Sequence, residues 1–310
     1  MARLKIAALQ MVSTPDLGRN LEAAARLVAQ AARAGATLVA LPEYFCLLGR
    51  RDTDKLAIAE APGRGPIQQF IAAAAREHGV AIVGGTLPVS AQSAGADAKA
   101  DAGAGPSAGA GAGDRAAEGI AAGTGPSAAP SRVLNRLCVV TPEGTQAAHY
   151  DKVHLFAFDN GRESYDEGRT LAAGQTPRAV DLALAGQRLR VGLSICYDLR
   201  FPELYRALMQ PPCDLIVVPA AFTYTTGQAH WEVLLRARAI ENQCYVLAAA
   251  QGGTHENGRR TFGHSMVIDP WGDVLALQKE GEGVVIAELD TERIAQVRGQ
   301  LPALAHRRLA

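Results

Sequence analysis

A cysteine at the end of an apolar strand is the first candidate for chemistry. The apolar residues of positions 189–195 alternate as those of a half-buried strand do, and Cys196 follows them. Pro202 then suits the first turn of a helix. At this corner between strand and helix we expect the thiol to be exposed at the sheet edge. Nearby backbone N–H groups could hold an oxyanion there and lower the thiol pKa, so Cys196 is a candidate nucleophile.

Two charged residues end other apolar runs. Glu43 follows the run at positions 36–42, and Lys152 follows the segment at 146–151. In stacked sheets, strand ends converge on a shared crevice, so these side chains are expected to meet the cysteine. A Lys–Glu pair is usually a solvated contact worth little. Because both residues here follow strands, a functional interpretation is favoured.

The three residue types suit the cleavage of an amide. Cys196 would attack as a thiolate, with its pKa brought below the free value of about 8.5 by a nearby cation. Glu43 would take the thiol proton and return it to the leaving amine, which requires burial to raise its pKa. Lys152 and the backbone N–H of Tyr197 would stabilise the oxyanion. A thioester would form and be hydrolysed, and no metal or organic cofactor is needed.

Three separated blocks in this order resemble the carbon–nitrogen hydrolase (nitrilase) superfamily. They are the segments 41–43, 150–155 and 195–203. The resemblance spans nearly the whole chain, and it implies an α/β fold, a four-layer αββα sandwich, as a single domain over 1–310. It also implies a Glu–Lys–Cys triad and a homodimer or larger homo-oligomer. Glu167, fifteen positions after Lys152, resembles the additional glutamate that orients the lysine and the substrate.

The C-terminal third looks like one branch of that superfamily. Segments 229–251, 262–272 and 301–308 resemble the amidases of metabolite repair that hydrolyse deaminated glutathione. The omega-amidase branch, acting on alpha-ketoglutaramate, is the alternative. Nitrilases and N-carbamoyl amino-acid hydrolases share the triad and stay open as a further class. A non-enzymatic scaffold is disfavoured because all three catalytic residue types are intact.

Either amide substrate carries carboxylates, so cations are expected at the pocket mouth. Arg200 is one candidate, although a structural pairing with Asp198 or a glutamate is the favoured interpretation. Arg259 and Arg260 lie in a loop that could reach an extended substrate. The predicted pocket wall consists of Tyr197, Phe156, Phe222, Thr223 and Trp231. Trp231 could equally belong to the core.

His154 raises the possibility of a Cys–His protease. It stands two positions after Lys152, but the local sequence suggests no Asn or Asp to orient the ring. A papain-like dyad is therefore disfavoured, and His154 is interpreted as a structural histidine.

The surrounding pattern alternates strands with helices, which favours an α/β layered fold. A helix capped by Asn20 is predicted to run to about residue 34. A second, from Pro66 to His78, ends at Gly79. The other predicted elements are strands at 5–11, 80–89, 132–140, 146–154, 214–219 and 244–251, a helix at about 229–241, and a turn at 269–273.

Residues 90–131 differ in composition from the rest. They consist almost wholly of Ala, Gly, Ser, Pro and Asp, with no aromatic residue and one isoleucine, Ile120. Such a segment cannot bury enough apolar surface to offset its ordering entropy. We expect a disordered surface insertion that is dispensable for chemistry, and a partner-binding loop is the less favoured alternative.

Composition narrows the function classes. Lys plus Arg total 31 and Asp plus Glu total 31, so no net charge favours nucleic acid or an anionic membrane. No apolar run approaches the roughly 20 residues that cross a bilayer, and the N-terminal apolar stretch is too short for a secretory signal. Five cysteines without a Cys-x-x-Cys pair suggest a cytoplasmic protein. Of these, Cys138 and Cys244 are expected in the core and Cys213 in a loop. Cys46 is expected to have a packing role.

Overall fold

Two β-sheets stack face to face, and helices cover their outer surfaces. The structure is a computed structural model that describes residues 3–91 and 132–309. In the first sheet, β1 (Leu4–Gln10), β2 (Leu38–Ala40) and β3 (Ala81–Val83) run parallel. The sheet is completed by β4 (Leu87–Ser90), β5 (Val133–Val140), β6 (Gln146–Asp151), β9 (Leu171–Ala172) and β18 (Gly283–Leu289).

The second sheet has six strands in the order β10, β11, β12, β13, β16, β17. Their bounds are Arg178–Leu184, Gln187–Leu193, Leu215–Ala220, Tyr245–Ala250, Ser265–Ile268 and Val274–Gln278. The strands β11, β12 and β13 are parallel. Two small hairpins lie outside the sheets, and they are formed by β7 (Ala157–Asp159) with β8 (Ser164–Asp166) and by β14 (Gly252–Thr254) with β15 (Arg260–Phe262).

The helices complete the layers. On the first sheet lie α1 (Leu17–Arg33) and α3 (Pro66–His78), and on the second lie α4 (Pro202–Ala207) and α5 (Tyr224–Asn242). The remaining helices are α2 (Asp54–Ala57) and α6 (Thr291–Gln300). This order of layers confirms the predicted αββα sandwich. None of the helices in the described ranges combines the length and the apolar content needed to cross a bilayer.

The strand β1 shows how one segment serves two interfaces. Leu4, Ile6 and Ala8 lie in the core between the two sheets, whereas Ala7 and Leu9 lie in the core under α1 and α3. Because successive side chains of a strand point to opposite faces, a strand buried on both sides must be apolar throughout. The near-continuous apolar sequence of β1 follows from this position.

Two predicted helix starts were wrong. Asp16, not Asn20, caps α1, since its carboxylate accepts a hydrogen bond from the Arg19 N–H at 2.9 Å. Asn20 is instead buried within the helix, and its side-chain amide donates to the carbonyl of Cys46 at 2.9 Å. The helix α5 begins at Tyr224, before the predicted position 229, with Thr223 as its cap.

The single strand predicted at 80–89 is two strands. Gly84 and Gly85 separate β3 from β4, and Gly85 has a φ of 51°. The insertion predicted at 90–131 lies outside the described residues, apart from positions 90 and 91. Its flanking strands are direct neighbours, because Ser90 of β4 pairs with Val133 of β5.

Candidate active site

Strand ends from both sheets meet at one place. Glu43 follows β2 of the first sheet, while Cys196 follows β11 and Ala221 follows β12 of the second. Lys152 comes directly after β6. Ligand sites of α/β proteins commonly form at the carboxyl ends of parallel strands, and here two sheets contribute to the same crevice.

Lys152 lies at the centre of this arrangement and is fully buried. Its Nζ donates to Glu43 Oε1 at 2.9 Å and to Glu167 Oε2 at 2.8 Å. Its backbone is held on both sides, because its N–H donates to the Asn135 carbonyl and its carbonyl accepts from the Gly174 N–H. A rigid ammonium group therefore bridges two carboxylates.

Glu43 is also held at every oxygen. In addition to Lys152, the side-chain amide of Asn135 donates to Oε1 at 2.9 Å, and the backbone N–H of Ala221 donates to Oε2 at 3.0 Å. The Glu43 carbonyl accepts from Gln251 Nε2 at 3.1 Å. The carboxylate thus has a fixed orientation toward the cysteine.

Glu167 completes the group of charges. Its carboxylate accepts hydrogen bonds from the hydroxyl of Tyr44 at 2.8 Å and from the backbone N–H of Phe156 at 2.7 Å, in addition to Lys152. Tyr44, the residue after Glu43, has a φ of 56°, which turns its ring toward Glu167. The lysine, both glutamates and the tyrosine form one continuous network.

Cys196 begins a short 3₁₀ helix at residues 196–200 and has a φ of 49°. Non-glycine residues rarely adopt this backbone conformation, and such strain is concentrated at functional sites. The residue is only 7% exposed, so the expectation of a thiol exposed at the sheet edge was wrong. The thiol is reached through a cleft instead.

Asp198 holds the backbone between β11 and the 3₁₀ helix that begins at Cys196. Its buried carboxylate accepts hydrogen bonds from the backbone N–H of Ile195 at 2.9 Å and from the Tyr150 hydroxyl at 2.8 Å. It also accepts from the His154 N–H and contacts His154 Nδ1 at 2.7 Å. His154 in turn stacks on Phe201. His154 is thus a hydrogen-bonded and stacked histidine, as predicted, but Asp198 does orient its ring, which the local sequence did not suggest. Asp198 also ties the cysteine corner to the segment that carries Lys152.

Burial and charge separate the two glutamates. Burial raises the pKa of Glu43, and the charge of Glu167 adds to this effect while Lys152 opposes it. Burial acts on Glu167 too and is the largest single cause, but Lys152, together with the hydrogen bonds from Phe156 and Tyr44, lowers the Glu167 pKa overall. Burial would lower the Lys152 pKa, yet the two carboxylates raise it well above 10.5. Glu167 is therefore a fixed anion, Lys152 a fixed cation and Glu43 the group suited to exchange a proton.

The thiol pKa of Cys196 is raised, which corrects the expectation that a nearby cation lowers it. Burial is the largest cause, the Glu43 charge adds to it, and Lys152 opposes both. The resting thiol therefore keeps its proton at neutral pH. A carboxylate in contact with the thiol could act as the base that removes this proton, and Glu43 is in hydrogen-bond contact with it.

The other cysteines lack such a base. All five are free and buried. Burial raises the pKa of Cys46 and Cys138 to about 12 and that of Cys213 to about 11, and it raises the pKa of Cys244 as well. Their environments are those of packing residues.

Cys196 lies between two cavities. An inner cavity is lined by Cys196, Ala221 and the side chains of Phe156, Tyr197, Arg200, Phe222, Thr223 and Thr226. An outer cavity is also lined by Cys196, Ala221 and Phe156, and in addition by Glu43, Tyr44, Lys55, Glu167 and Arg259. The Cys196 thiol thus borders both cavities.

Several predicted pocket residues can now be placed. Phe156, Tyr197, Phe222 and Thr223 lie at the inner cavity. Trp231 is fully buried behind Phe222, and its indole N–H donates to the His264 carbonyl at 2.9 Å. Its predicted place on the pocket wall was therefore wrong, and it supports that wall from the core.

The favoured interpretation of Arg200 was also wrong. Its guanidinium lies 5.7 Å from the ring centre of Tyr197 and 5.5 Å from that of Phe222, and it contacts His230. Within the described residues, no carboxylate lies within 4.0 Å of it, and Asp198 is bound elsewhere. A cation without a carboxylate partner therefore faces the inner cavity.

Sequence reasoning missed three positioning residues. Asn135 and Asp198 are buried polar residues in otherwise apolar surroundings, and this was the available signal for both. For Tyr44, the only signal in the sequence was its position next to Glu43. Across residues 3–91 and 132–309, no group of three or more His, Cys, Asp or Glu side chains could hold a metal ion.

Comparisons with known proteins identify the family of this chain. The sequence model of the carbon–nitrogen hydrolase family matches residues 5–101 and 110–299. A deaminated glutathione amidase from Synechocystis sp. is 41% identical over 97% of this chain and 97% of its own length. The omega-amidase NIT2-A of Xenopus laevis is 31% identical over 99% of this chain and 96% of its own length.

A solved structure shares the fold. The crystal structure of Saccharomyces cerevisiae Nit3, a member of branch 10 of the nitrilase superfamily, matches with a TM-score of 0.78 at 27% identity. The match covers 99% of this chain and 97% of that one. With the family match over most of the sequence, this chain belongs to the carbon–nitrogen hydrolase family and is a hydrolase of carbon–nitrogen bonds other than peptide bonds.

Proposed function

We propose that this enzyme is an amidase of metabolite repair that hydrolyses deaminated glutathione through a thioester on Cys196. One observation carries the proposal: a buried lysine bridges two carboxylates beside a thiol that opens onto two cavities. The names of its relatives support the choice of substrate. The residues present complete the reaction without a cofactor.

In the first half-reaction, the Cys196 sulfur attacks the amide carbon while Glu43 takes the thiol proton. The raised pKa of Glu43 suits this transfer, because a base works best when its pKa lies near the operating pH. The carbonyl oxygen becomes an oxyanion, which Lys152 and the backbone N–H of Tyr197 stabilise. When the C–N bond breaks, Glu43 returns the proton to the departing nitrogen.

The second half-reaction releases the acyl group. Water enters where the amine has left, and Glu43 takes one of its protons as the oxygen attacks the thioester carbon. The second oxyanion collapses, the C–S bond breaks and the thiol recovers its proton. The sum is one amide and one water converted to one acid and one amine.

Deaminated glutathione provides a carboxylate for the inner cavity. Its acyl half is a five-carbon 2-oxo acid, whose far end carries that group. Arg200 lies at this cavity without a carboxylate partner in the described chain. An Arg–carboxylate contact would place the substrate with its amide carbon at Cys196.

The test is product formation from purified enzyme. We expect release of 2-oxoglutarate and cysteinylglycine from deaminated glutathione, and no release by Cys196→Ala with an unchanged circular dichroism spectrum. The matched control is Cys138→Ala, which removes a buried thiol from the core under α1 and α3 and should keep the activity. A fully active Cys196→Ala variant would refute the thioester mechanism.

The alternative function is that of an omega-amidase, because the similar Xenopus laevis protein bears that name. Alpha-ketoglutaramate has the same acyl half but releases ammonia. The ratio of kcat/KM for the two substrates separates the functions, and we expect the larger value for deaminated glutathione. The reverse ratio would assign the alternative.

We also propose a cytoplasmic homodimer or larger homo-oligomer. Val233 and Ile240 of α5 and Trp271 are large exposed apolar side chains, and Ile240 lies beside Gly272, the residue after Trp271. Contiguous apolar surface commonly marks an interface. Light scattering at micromolar concentration tests this, and Ile240→Glu should shift the mass toward the monomer. The five free thiols are consistent with a reducing compartment.

A further inference from the structure

The outer cavity carries positive charges that the reaction at Cys196 does not use. Lys55 and Arg259 line it together with Glu43 and Cys196. Arg51 also lines it, but this side chain is largely exposed and pairs with Asp54 at 3.2 Å. Lys55 and Arg259 therefore need a separate explanation.

Lys55 is a half-buried ammonium group without a counter-ion. Its Nζ donates to the Thr170 hydroxyl at 3.3 Å and lies 5.3 Å from the ring centre of Tyr44. In the described part of the chain, no carboxylate lies within 4.0 Å of it. Burial is the largest cause that lowers the pKa of Lys55; the charges of Glu167 and Asp52 oppose it, and the charge of Arg259 adds to it. An anion placed beside Lys55 would oppose the lowering further.

Arg259 is weakly paired as well. Its guanidinium lies over the ring of Tyr165 at 4.8 Å, and its nearest carboxylate, that of the exposed Asp52, is 3.9 Å away. The other acidic residues of the outer cavity have partners: Glu167 binds Lys152, and Asp166 caps the backbone at Gly168. At this wall the two cations Lys55 and Arg259 therefore face one carboxylate without another partner, that of the exposed Asp52.

The position of Glu43 decides which half of a substrate meets this wall. Glu43 lines the outer cavity and is not among the residues of the inner one. Because the departing nitrogen must receive its proton from Glu43, the amine half lies in the outer cavity. The acyl half, which stays bonded to Cys196 after the amine leaves, then lies on the other side of the thiol, toward Arg200, where the free volume is about 10 Å³ and the walls must separate to admit it.

From this division we propose that Lys55 and Arg259 bind the terminal carboxylate of the amine half, and so select amides of a dipeptide over primary amides. The inference rests on the proposed function, in which the amine half is cysteinylglycine. Its carboxylate lies about 7 Å beyond the scissile nitrogen when the two residues are extended. A primary amide releases ammonia and makes no use of these cations.

The test compares two substrates that differ only in that charge, namely deaminated glutathione and its analogue ending in glycinamide. The wild-type enzyme should prefer the acid by about tenfold or more in kcat/KM, the size of a charged hydrogen bond. The double variant Lys55→Met, Arg259→Gln should lose that preference through a higher KM for the acid. Each single variant should lose part of it.

Arg260→Gln is the matched control. The Arg260 guanidinium pairs with Glu280 at 2.8 Å and lies over the Tyr224 ring, so its removal should leave the preference intact. A double variant with the wild-type preference would overturn the inference. An equal loss on both substrates would overturn it too, because it would indicate a purely structural role. If the wild-type enzyme hydrolyses neither substrate, the proposed function itself is refuted, and this inference with it.

Discussion

At the scale of single residues, Lys152 is the charge on which the site depends. Lys152→Met would leave Glu43 and Glu167 buried without their cation. We expect the free energy of unfolding at pH 7 to fall by about 3–5 kcal/mol, because breaking a buried pair leaves an uncompensated charge. Turnover should fall at least about a hundredfold. Urea denaturation and product release measure the two effects.

This deficit should depend on pH in a defined direction. In the wild type, the pKa of Lys152 is raised, so the stability that its charge contributes is fully present below pH 10.5. The pKa of Glu167 is lowered, so the stability that its charge contributes is lost only as the pH falls below 4.5. In the variant, burial alone raises both carboxylate pKa values. Its deficit should therefore shrink as the pH falls from 7 to about 5. Lys279→Met, at an exposed lysine, is the control, and a pH-independent deficit would contradict the account.

The acidic limb of the rate reports Glu43. Because this carboxyl must be ionised to act as a base, and because burial raises its pKa above 4.5, activity should fall as the pH drops through a midpoint above that value. The profile of kcat/KM from pH 8 to pH 4, restricted to the range in which circular dichroism shows an intact fold, provides the measurement. A flat profile down to pH 4.5 would exclude Glu43 as the base.

The sequence located these residues because each follows an apolar run. The sequence could not show which of these side chains contact one another. Arg200 and Asp198 are two positions apart, which suggested a pair, yet the fold turns Asp198 toward Tyr150 and His154 and leaves Arg200 at the cavity. The direction of the Cys196 pKa shift was mispredicted for a similar reason, since burial depth is a property of the folded chain.

At the scale of elements, the turn between β3 and β4 holds the segment that carries Glu43. A Cβ at Gly85 would lie 2.2 Å from the Pro42 carbonyl and 3.0 Å from the Phe45 ring. Gly85→Ala should therefore displace the Glu43 loop, lower kcat at least about tenfold and destabilise the fold by about 1–3 kcal/mol. Turnover and thermal unfolding provide the measurements.

Gly79→Ala is the matched control for that turn. Gly79 ends α3 with a φ of 62°, but a Cβ there meets nothing within 4 Å. The substitution should cost about 1 kcal/mol in stability through backbone strain and leave kcat unchanged. Equal losses of kcat in the two variants would contradict a specific effect of Gly85 on Glu43.

Element boundaries were predictable only where local signals were strong. Pro66 and Gly79 bound α3 at the predicted residues, since both act through their own backbone. The start of α5 was missed because its first turn, at Tyr224 and the two threonines after it, has low helix propensity. The break between β3 and β4 was missed because it depends on a contact of Gly85 with Pro42, and these two residues are far apart in the sequence.

At the scale of the whole molecule, alternating strands and helices predict an α/β fold, but not two stacked sheets. Periodicity shows that β1 is apolar and cannot show what lies on either side of it. The family resemblance supplied the four layers, and the structure explains them, since both faces of β1 are buried. One consequence concerns the segment between β4 and β5.

Because Ser90 and Val133 are paired neighbours, a short turn can replace residues 92–131. A loop shortened roughly tenfold costs about 2 kcal/mol less to close, so the free energy of unfolding should rise by about that amount. The kcat/KM should stay within about twofold, because the shortened chain keeps the pairing of β4 with β5, including that of Pro88 with Asn135, the residue that contacts Glu43. Urea denaturation and product release compare the shortened and full chains.

A chain with the same residues of 92–131 in scrambled order is the control for that deletion. If the segment contributes only length and composition, the scrambled chain should match the wild type in stability, activity and oligomeric mass. A loss of activity on deletion that the scrambled chain does not share would indicate that the length or composition of the segment matters and the order of its residues does not. A loss shared by both would show that the order of these residues carries a function, in favour of the partner-binding alternative, because entropy of closure depends on the number of residues and not on their sequence.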